Sequence, residues 1–212
     1  MHSGKRLNVI GYAGDLVLLA DSPADLQKLI SICESWSRRN GLDFSPSKSK
    51  ILVFHPNAQS KRSVFTLNNQ TLESVPTFKY LGITLDATGA VGPGLCYRTF
   101  FASSLSCAEK RLSAIRLLGA HKDGLRPTTA IRLYKLLVRP ILEFGAQIIP
   151  FAPTQLAKLE TFQCKALRSL LGLLKSVKAE TVRLIAGVEP LECRFAYLKL
   201  AFLQAGPQAV AF

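Results

Sequence analysis

Asp15 is the side chain of this sequence best placed for chemistry. It lies in the run Gly11-Tyr12-Ala13-Gly14-Asp15-Leu16-Val17-Leu18-Leu19-Ala20-Asp21, where two apolar stretches flank a short polar tip. That pattern predicts a β-hairpin, Leu7 to Tyr12 and Leu16 to Ala20 around Ala13-Gly14, with Asp15 at its apex. A carboxylate there is a natural ligand for a hard cation such as Mg2+, which takes oxygen donors. The next acids along the chain, Asp21 and Asp25, are poor companions for it. Asp21 adjoins a helix start and belongs to the turn, while Asp25 reads as the closing residue of a capping box that begins at Ser22. No glycine-rich phosphate loop precedes a Lys-Ser/Thr pair, so a nucleotide-binding P-loop is not indicated. Lys48, in Lys48-Ser49-Lys50, reads by itself as a solvated loop lysine.

The elements that must carry these residues are legible in outline. Ser22 as N-cap, Pro23 in the first turn and Asn40-Gly41 at the end delimit one helix. Leu26, Leu29, Ile30, Cys33 and Trp36 recur along it at helical spacing and predict its buried face. Ile51 to Phe54 predicts a short strand. Val64 to Leu67 and Leu72 to Val75 predict a hairpin around Asn68-Asn69-Gln70. Phe78 to Leu85 predicts one further strand, with Gly82 inside it as a bulge or close approach. Residues 87–94, rich in glycine with one proline, read as a hinge. Beyond it the periodicity turns helical, at about 98–119, 127–138, 154–171, 178–186 and 190–204, with Pro140 ending or kinking its helix.

The 212 residues are 48% hydrophobic and 19% charged, which suits a globular chain and excludes a disordered one. The formal charge of +13 points to a polyanionic partner. Residues 1–86 carry 10 basic and 7 acidic side chains and residues 87–212 carry 17 and 7, so the excess lies in the second half. Cysteines at 33, 96, 107, 164 and 193 form no Cys-x-x-Cys pair, so a zinc knuckle is not expected. Their odd number, and the lack of a targeting signal or bilayer-length apolar run, predict an intracellular protein without a membrane anchor.

A spaced series of motifs carries further information. After Tyr12-Ala13-Gly14-Asp15 come Ser22-Pro23, Gly41-Leu42-Asp43-Phe44, Lys48-Ser49-Lys50 and Phe78-Lys79-Tyr80-Leu81-Gly82. Then follow Pro140-Ile141-Leu142-Glu143-Phe144-Gly145 and the stretch from Leu159-Glu160 through Gln163, Lys165, Leu167 and Arg168 to Leu171-Gly172. In order and spacing this resembles the C-terminal part of the reverse transcriptases of non-LTR retrotransposons, RNA-directed DNA polymerases, from their metal-binding hairpin through the thumb.

The resemblance implies an α+β fold. A partial palm of antiparallel strands and one capped helix would occupy residues 1–86, and an all-α thumb-like half residues 95–212. It implies Mg2+ as cofactor and an RNA/DNA duplex as partner. Asp15 matches the second acid of Tyr-x-Asp-Asp, and Gly14 replaces the first, a magnesium ligand in the family. Lys48 matches a lysine near the leaving pyrophosphate. Phe78, Lys79, Tyr80, Leu81 and Gly82 match the primer grip. Arg111, Arg116, Lys165 and Arg168 lie in the helices that would hold the duplex.

Two-metal phosphoryl transfer needs ions about 3.5–4 Å apart, and glycine offers no side-chain oxygen. The family's other catalytic aspartate, its fingers and its dNTP-binding segment lie upstream of the hairpin, and residues 1–10 cannot contain them. The expectation is therefore a truncated, catalytically inactive relative. It would have a marginal palm whose unpaired Leu16 to Leu19 edge is open to another chain, and a more self-sufficient helical half.

Overall fold

The structure, a computed structural model, describes residues 8–54, 62–87, 97–119 and 124–205. The chain divides into two compact units, Met1–Cys96 and Tyr97–Phe212. Together they are mixed α and β, with small sheets in the first unit and helices in the second. Most of the expected hinge, residues 88–94, lies outside the described residues, as does Leu7 of the first strand.

In the first unit, β1 (Val9–Tyr12) and β2 (Asp15–Leu18) form an antiparallel pair. Helix α1 (Pro23–Arg39) follows with the anticipated punctuation. Ser22 Oγ accepts from the Asp25 N–H at 3.2 Å and donates to Asp25 Oδ2 at 2.7 Å, while Gly41 turns left-handed at φ +65°.

The buried face of α1 differs from the expected one. Trp36 is 48% exposed, whereas Ile30 and Ser37 are buried. The reason is polar. Gln27 accepts from the Thr66 N–H and donates to the Thr66 carbonyl, both at 3.0 Å, and Glu34 accepts from the Asn68 N–H at 2.9 Å. The helix thereby satisfies the free edge of β4 (Phe65–Leu67), where an unpaired backbone group would cost stability. This turns Gln27, Ile30, Glu34 and Ser37 inward and Trp36 outward.

β4 and β5 (Gln70–Ser74) form the expected hairpin, with Asn68 and Asn69 both at positive φ as a tight primed turn requires. β3 is shorter than Ile51 to Phe54, spanning Lys50–Ile51. It joins β5 in parallel, so the sheets are not wholly antiparallel. The small core is Ile30, Ile51, Phe65, Leu67 and Leu72.

The single strand expected over 78–85 is instead a hairpin, β6 (Thr77–Tyr80) and β7 (Ile83–Asp86). Leu81 and Gly82 form its turn at φ +46° and +86°, so Gly82 serves a reversal rather than a bulge.

The second unit contains α2 (Arg98–Leu117), α3 (Pro127–Leu133), α4 (Arg139–Glu143), α5 (Pro153–Leu171), α6 (Ala179–Ala186) and α7 (Leu191–Ala205). A π-helical segment, Tyr134–Val138, joins α3 to α4. Pro140 has no N–H, and its ring would crowd a carbonyl of the preceding α-turn. The wider π-turn just before it lets the helical path continue rather than stop. Left-handed glycines Gly172 and Gly187 close α5 and α6. The core runs from Ala108, Leu112 and Ile115 through Tyr134, Val138 and Leu142 to Leu167, Leu170, Leu191 and Phe195.

Candidate functional site

Asp15 is the first residue of β2, paired with Tyr12 across the hairpin and exposed. The turn puts Ala13 at φ +50°, a left-handed backbone that costs an L-residue roughly 1–2 kcal/mol. Gly14 is not the residue at positive φ, and a Cβ built on it meets nothing within 4 Å. Neither the backbone nor the surrounding space requires glycine there. What position 14 lacks is an oxygen donor.

The residues present do not fit a two-metal centre. Asp15 supplies one carboxylate and Gly14 none. Among the described residues, no three or more His, Cys, Asp or Glu side chains are grouped so as to hold a metal ion. Lys48 is exposed on a tight turn, its N–H donating to the Ser45 carbonyl at 3.2 Å.

On the β6–β7 hairpin, strand alternation puts Phe78 and Tyr80 on one face and Lys79 on the other. Phe78 pairs with Leu85, Lys79 with Thr84 and Tyr80 with Ile83. Lys79, Leu81 and Gly82 are exposed. The Tyr80 hydroxyl is buried without a hydrogen-bond partner.

Arg111 and Arg116 are exposed on α2. Lys165 is exposed on α5, where helical spacing aligns it with exposed Lys158 and Thr161. Arg168 is different. Its Nε and Nη2 donate to the Val177 carbonyl at 3.1 and 2.8 Å.

These features can be set against known proteins. Residues 2–85 match the reverse transcriptase (RNA-dependent DNA polymerase) family. Over 168 residues the chain is 26% identical to the RNA-directed DNA polymerase from mobile element jockey of Drosophila funebris, covering 76% of this chain and 18% of that protein. It is 28% identical over 96 residues to the retrovirus-related Pol polyprotein from type-1 retrotransposable element R2 of Nasonia vitripennis, covering 41% and 9%. The chain is similar to the reverse transcriptases of non-LTR retrotransposons. It spans under a quarter of the length of these curated relatives. No solved structure matches it.

The helical unit of this reverse transcriptase relative also holds a polar lattice that was not legible beforehand. Glu160 accepts from Arg183 Nη1 at 2.7 Å and from the Leu191 N–H at 2.9 Å, which caps α7. Gln163, fully buried, accepts from the Tyr134 hydroxyl at 3.0 Å and donates to the Glu189 carbonyl at 3.0 Å. Glu143 receives Arg194 at 3.0 Å and pairs with Arg139 at 3.0 Å. Burial and the Glu160 charge push the Tyr134 hydroxyl well above its usual range, and burial followed by Glu160 raises the Cys164 thiol. Apart from Arg139 and Glu143, which lie four residues apart on one helix, the partners are 23 to 51 residues apart in sequence. The signal that could have found them was the set of motif residues Glu143, Glu160 and Gln163, polar positions among apolar ones.

No helix among the described residues is long and apolar enough to cross a membrane.

Proposed function

We propose that this chain is a nucleic-acid-handling segment of a retrotransposon reverse transcriptase and does not itself transfer nucleotides. Residues 1–86 act as a partial palm and residues 95–212 as a thumb-like half, with 87–94 the hinge between them. The observation carrying this reading is Gly14, which leaves Asp15 as the one acid at the hairpin tip. Losing one preorganised stabilising group typically costs about 10²–10³ in rate, and losing a shared metal ligand prevents assembly of the site. The basic excess of the second half, including exposed Arg111, Arg116 and Lys165, supports sequence-independent contact with a duplex backbone.

The test is primer extension on an RNA template with Mg2+ or Mn2+. No incorporation above an Asp15→Ala control is expected, and template-dependent synthesis by the chain alone overturns the proposal.

A second reading rests on the first hairpin, where every residue of β1, with Asp15 and Leu16 of β2, is exposed. That surface suits docking on another chain, including a polymerase fragment that brings its own catalytic strand. Co-purification with such a fragment and restored extension in the mixture would favour it.

A further inference from the structure

We propose that Ser45 is a phosphorylation site for a proline-directed serine kinase that also reads a basic side chain, and that Lys48 holds the resulting phosphate. The chain contains two Ser-Pro pairs and no Thr-Pro pair, so the comparison is internal.

At the first pair, Ser22-Pro23-Ala24-Asp25, the hydroxyl is committed. Ser22 Oγ accepts from the Asp25 N–H and donates to Asp25 Oδ2, locking the start of α1. A carboxylate three residues on also repels a cofactor and a phosphate that are both anionic.

At the second pair, Ser45-Pro46-Ser47-Lys48, each of these features is reversed. Ser45 is exposed in a segment, 42–45, without regular secondary structure. The residue before a proline is biased to extended backbone, the conformation a peptide needs to lie in a kinase cleft. Proline brings no N–H that the cleft would have to satisfy. The Ser45 carbonyl, not its hydroxyl, closes the following turn, accepting from Lys48 N–H, Ser49 N–H and Ser49 Oγ. Its hydroxyl has one exposed neighbour, Ser47 Oγ at 3.0 Å, a contact readily exchanged for water. Lys48 is exposed three residues on, at the end of the turn that its own N–H closes onto the Ser45 carbonyl at 3.2 Å.

In the transfer, Ser45 Oγ attacks the γ-phosphorus of ATP. The Oγ–P bond forms as the bond to the ADP oxygen breaks, and the hydroxyl proton passes to the kinase's base. The product carries a charge between about −1.5 and −2 at neutral pH, with three acceptor oxygens facing the Lys48 ammonium.

The experiment treats the folded full chain with a purified cyclin-dependent kinase and ATP, and maps phosphate by mass spectrometry. Phosphate is expected on Ser45, lost in Ser45→Ala, kept in Ser45→Thr and unchanged in Ser22→Ala. Lys48→Gln should slow incorporation several-fold and raise the second ionisation of the phosphate, followed by phosphorus NMR. Labelling only after unfolding in urea, labelling of Ser22 instead, or full incorporation in Ser45→Ala overturns the site. An identical phosphate titration in Lys48→Gln overturns the pairing.

Discussion

Arg168 reaches nine residues along the chain to clasp the Val177 carbonyl with two of its nitrogens, at 3.1 and 2.8 Å. The clasp closes the loop that leaves α5 at left-handed Gly172 and enters α6. An arginine that the sequence places among possible duplex contacts thus has a structural commitment, because its planar fork can give both donors to one oxygen.

Arg168→Ala should therefore lower stability by about 1–3 kcal/mol, since the Val177 carbonyl loses both donors at once. Urea denaturation of the helical unit's signal measures it. Lys165→Ala, at an exposed position, should leave the same curve within about 0.5 kcal/mol.

Lys165→Ala should be felt in binding instead. Affinity for an RNA/DNA duplex is expected to fall linearly on a log–log plot against salt, and removing one phosphate-contacting lysine reduces that slope by about 1. A slope unchanged by both Lys165→Ala and Arg111→Ala would place the contact surface elsewhere.

Gly14→Asp should fold like the parent, because a side chain at position 14 meets open space and the backbone there is not left-handed. The expected change in stability is within about 0.5 kcal/mol. Polymerase activity should still be absent in primer extension, because a two-metal site needs further ligands than the hairpin tip carries.

Glu160→Ala should destabilise the helical unit more than any exposed acid. It strips Arg183 and the first N–H of α7 of one shared acceptor. Both ion-pair partners are partly solvated, so a loss of roughly 2–3 kcal/mol is expected rather than the 3–5 of a fully buried pair. Glu160→Gln, which keeps an acceptor, should recover part of it in thermal unfolding.

Tyr134 supplies a pH test. Its folded-state pKa is raised, chiefly by burial and next by Glu160. The folded form therefore holds the phenolic proton more tightly than the unfolded chain does. Its contribution is fully present below the unfolded value of about 10 and is lost as pH rises beyond it. Cys164, also raised by burial, adds a loss of the same sign. Tyr134→Phe should be less stable at neutral pH by about 1 kcal/mol, because Gln163 loses a donor. Its stability should fall less than the parent's above pH ~10 in urea titrations.

Local chemistry made much of the fold readable. The Ser22-Pro23-Asp25 start, the Asn68-Asn69 turn and the five helical stretches after residue 97 follow from capping, turn propensity and periodicity, all set within a few residues. Where the reading missed, a distant partner had decided the outcome. Trp36 lies at a helical spacing that suggests burial, but Gln27 and Glu34 turn α1 toward the open edge of β4. Leu81 gives no sign in isolation that it will accept positive φ beside Gly82, and the pairing of Lys79 with Thr84 requires it. Pro140 carries a breaking signal that a π-turn absorbs, because the packed side chains around Val138 and Leu142 hold the helical path together.

From composition and motif alone came the kinship with reverse transcriptases, the basic bias of the second half and the missing acid at position 14. Those properties are carried by residue types and short-range order, so no neighbour can alter them. Tertiary structure alone decided that glycine at 14 answers no steric demand, and that Glu143, Glu160, Gln163 and Arg168 hold helices together. Such roles depend on hydrogen-bond partners up to 51 residues away. A linear string does not express them until burial has removed the water that each polar group would otherwise choose.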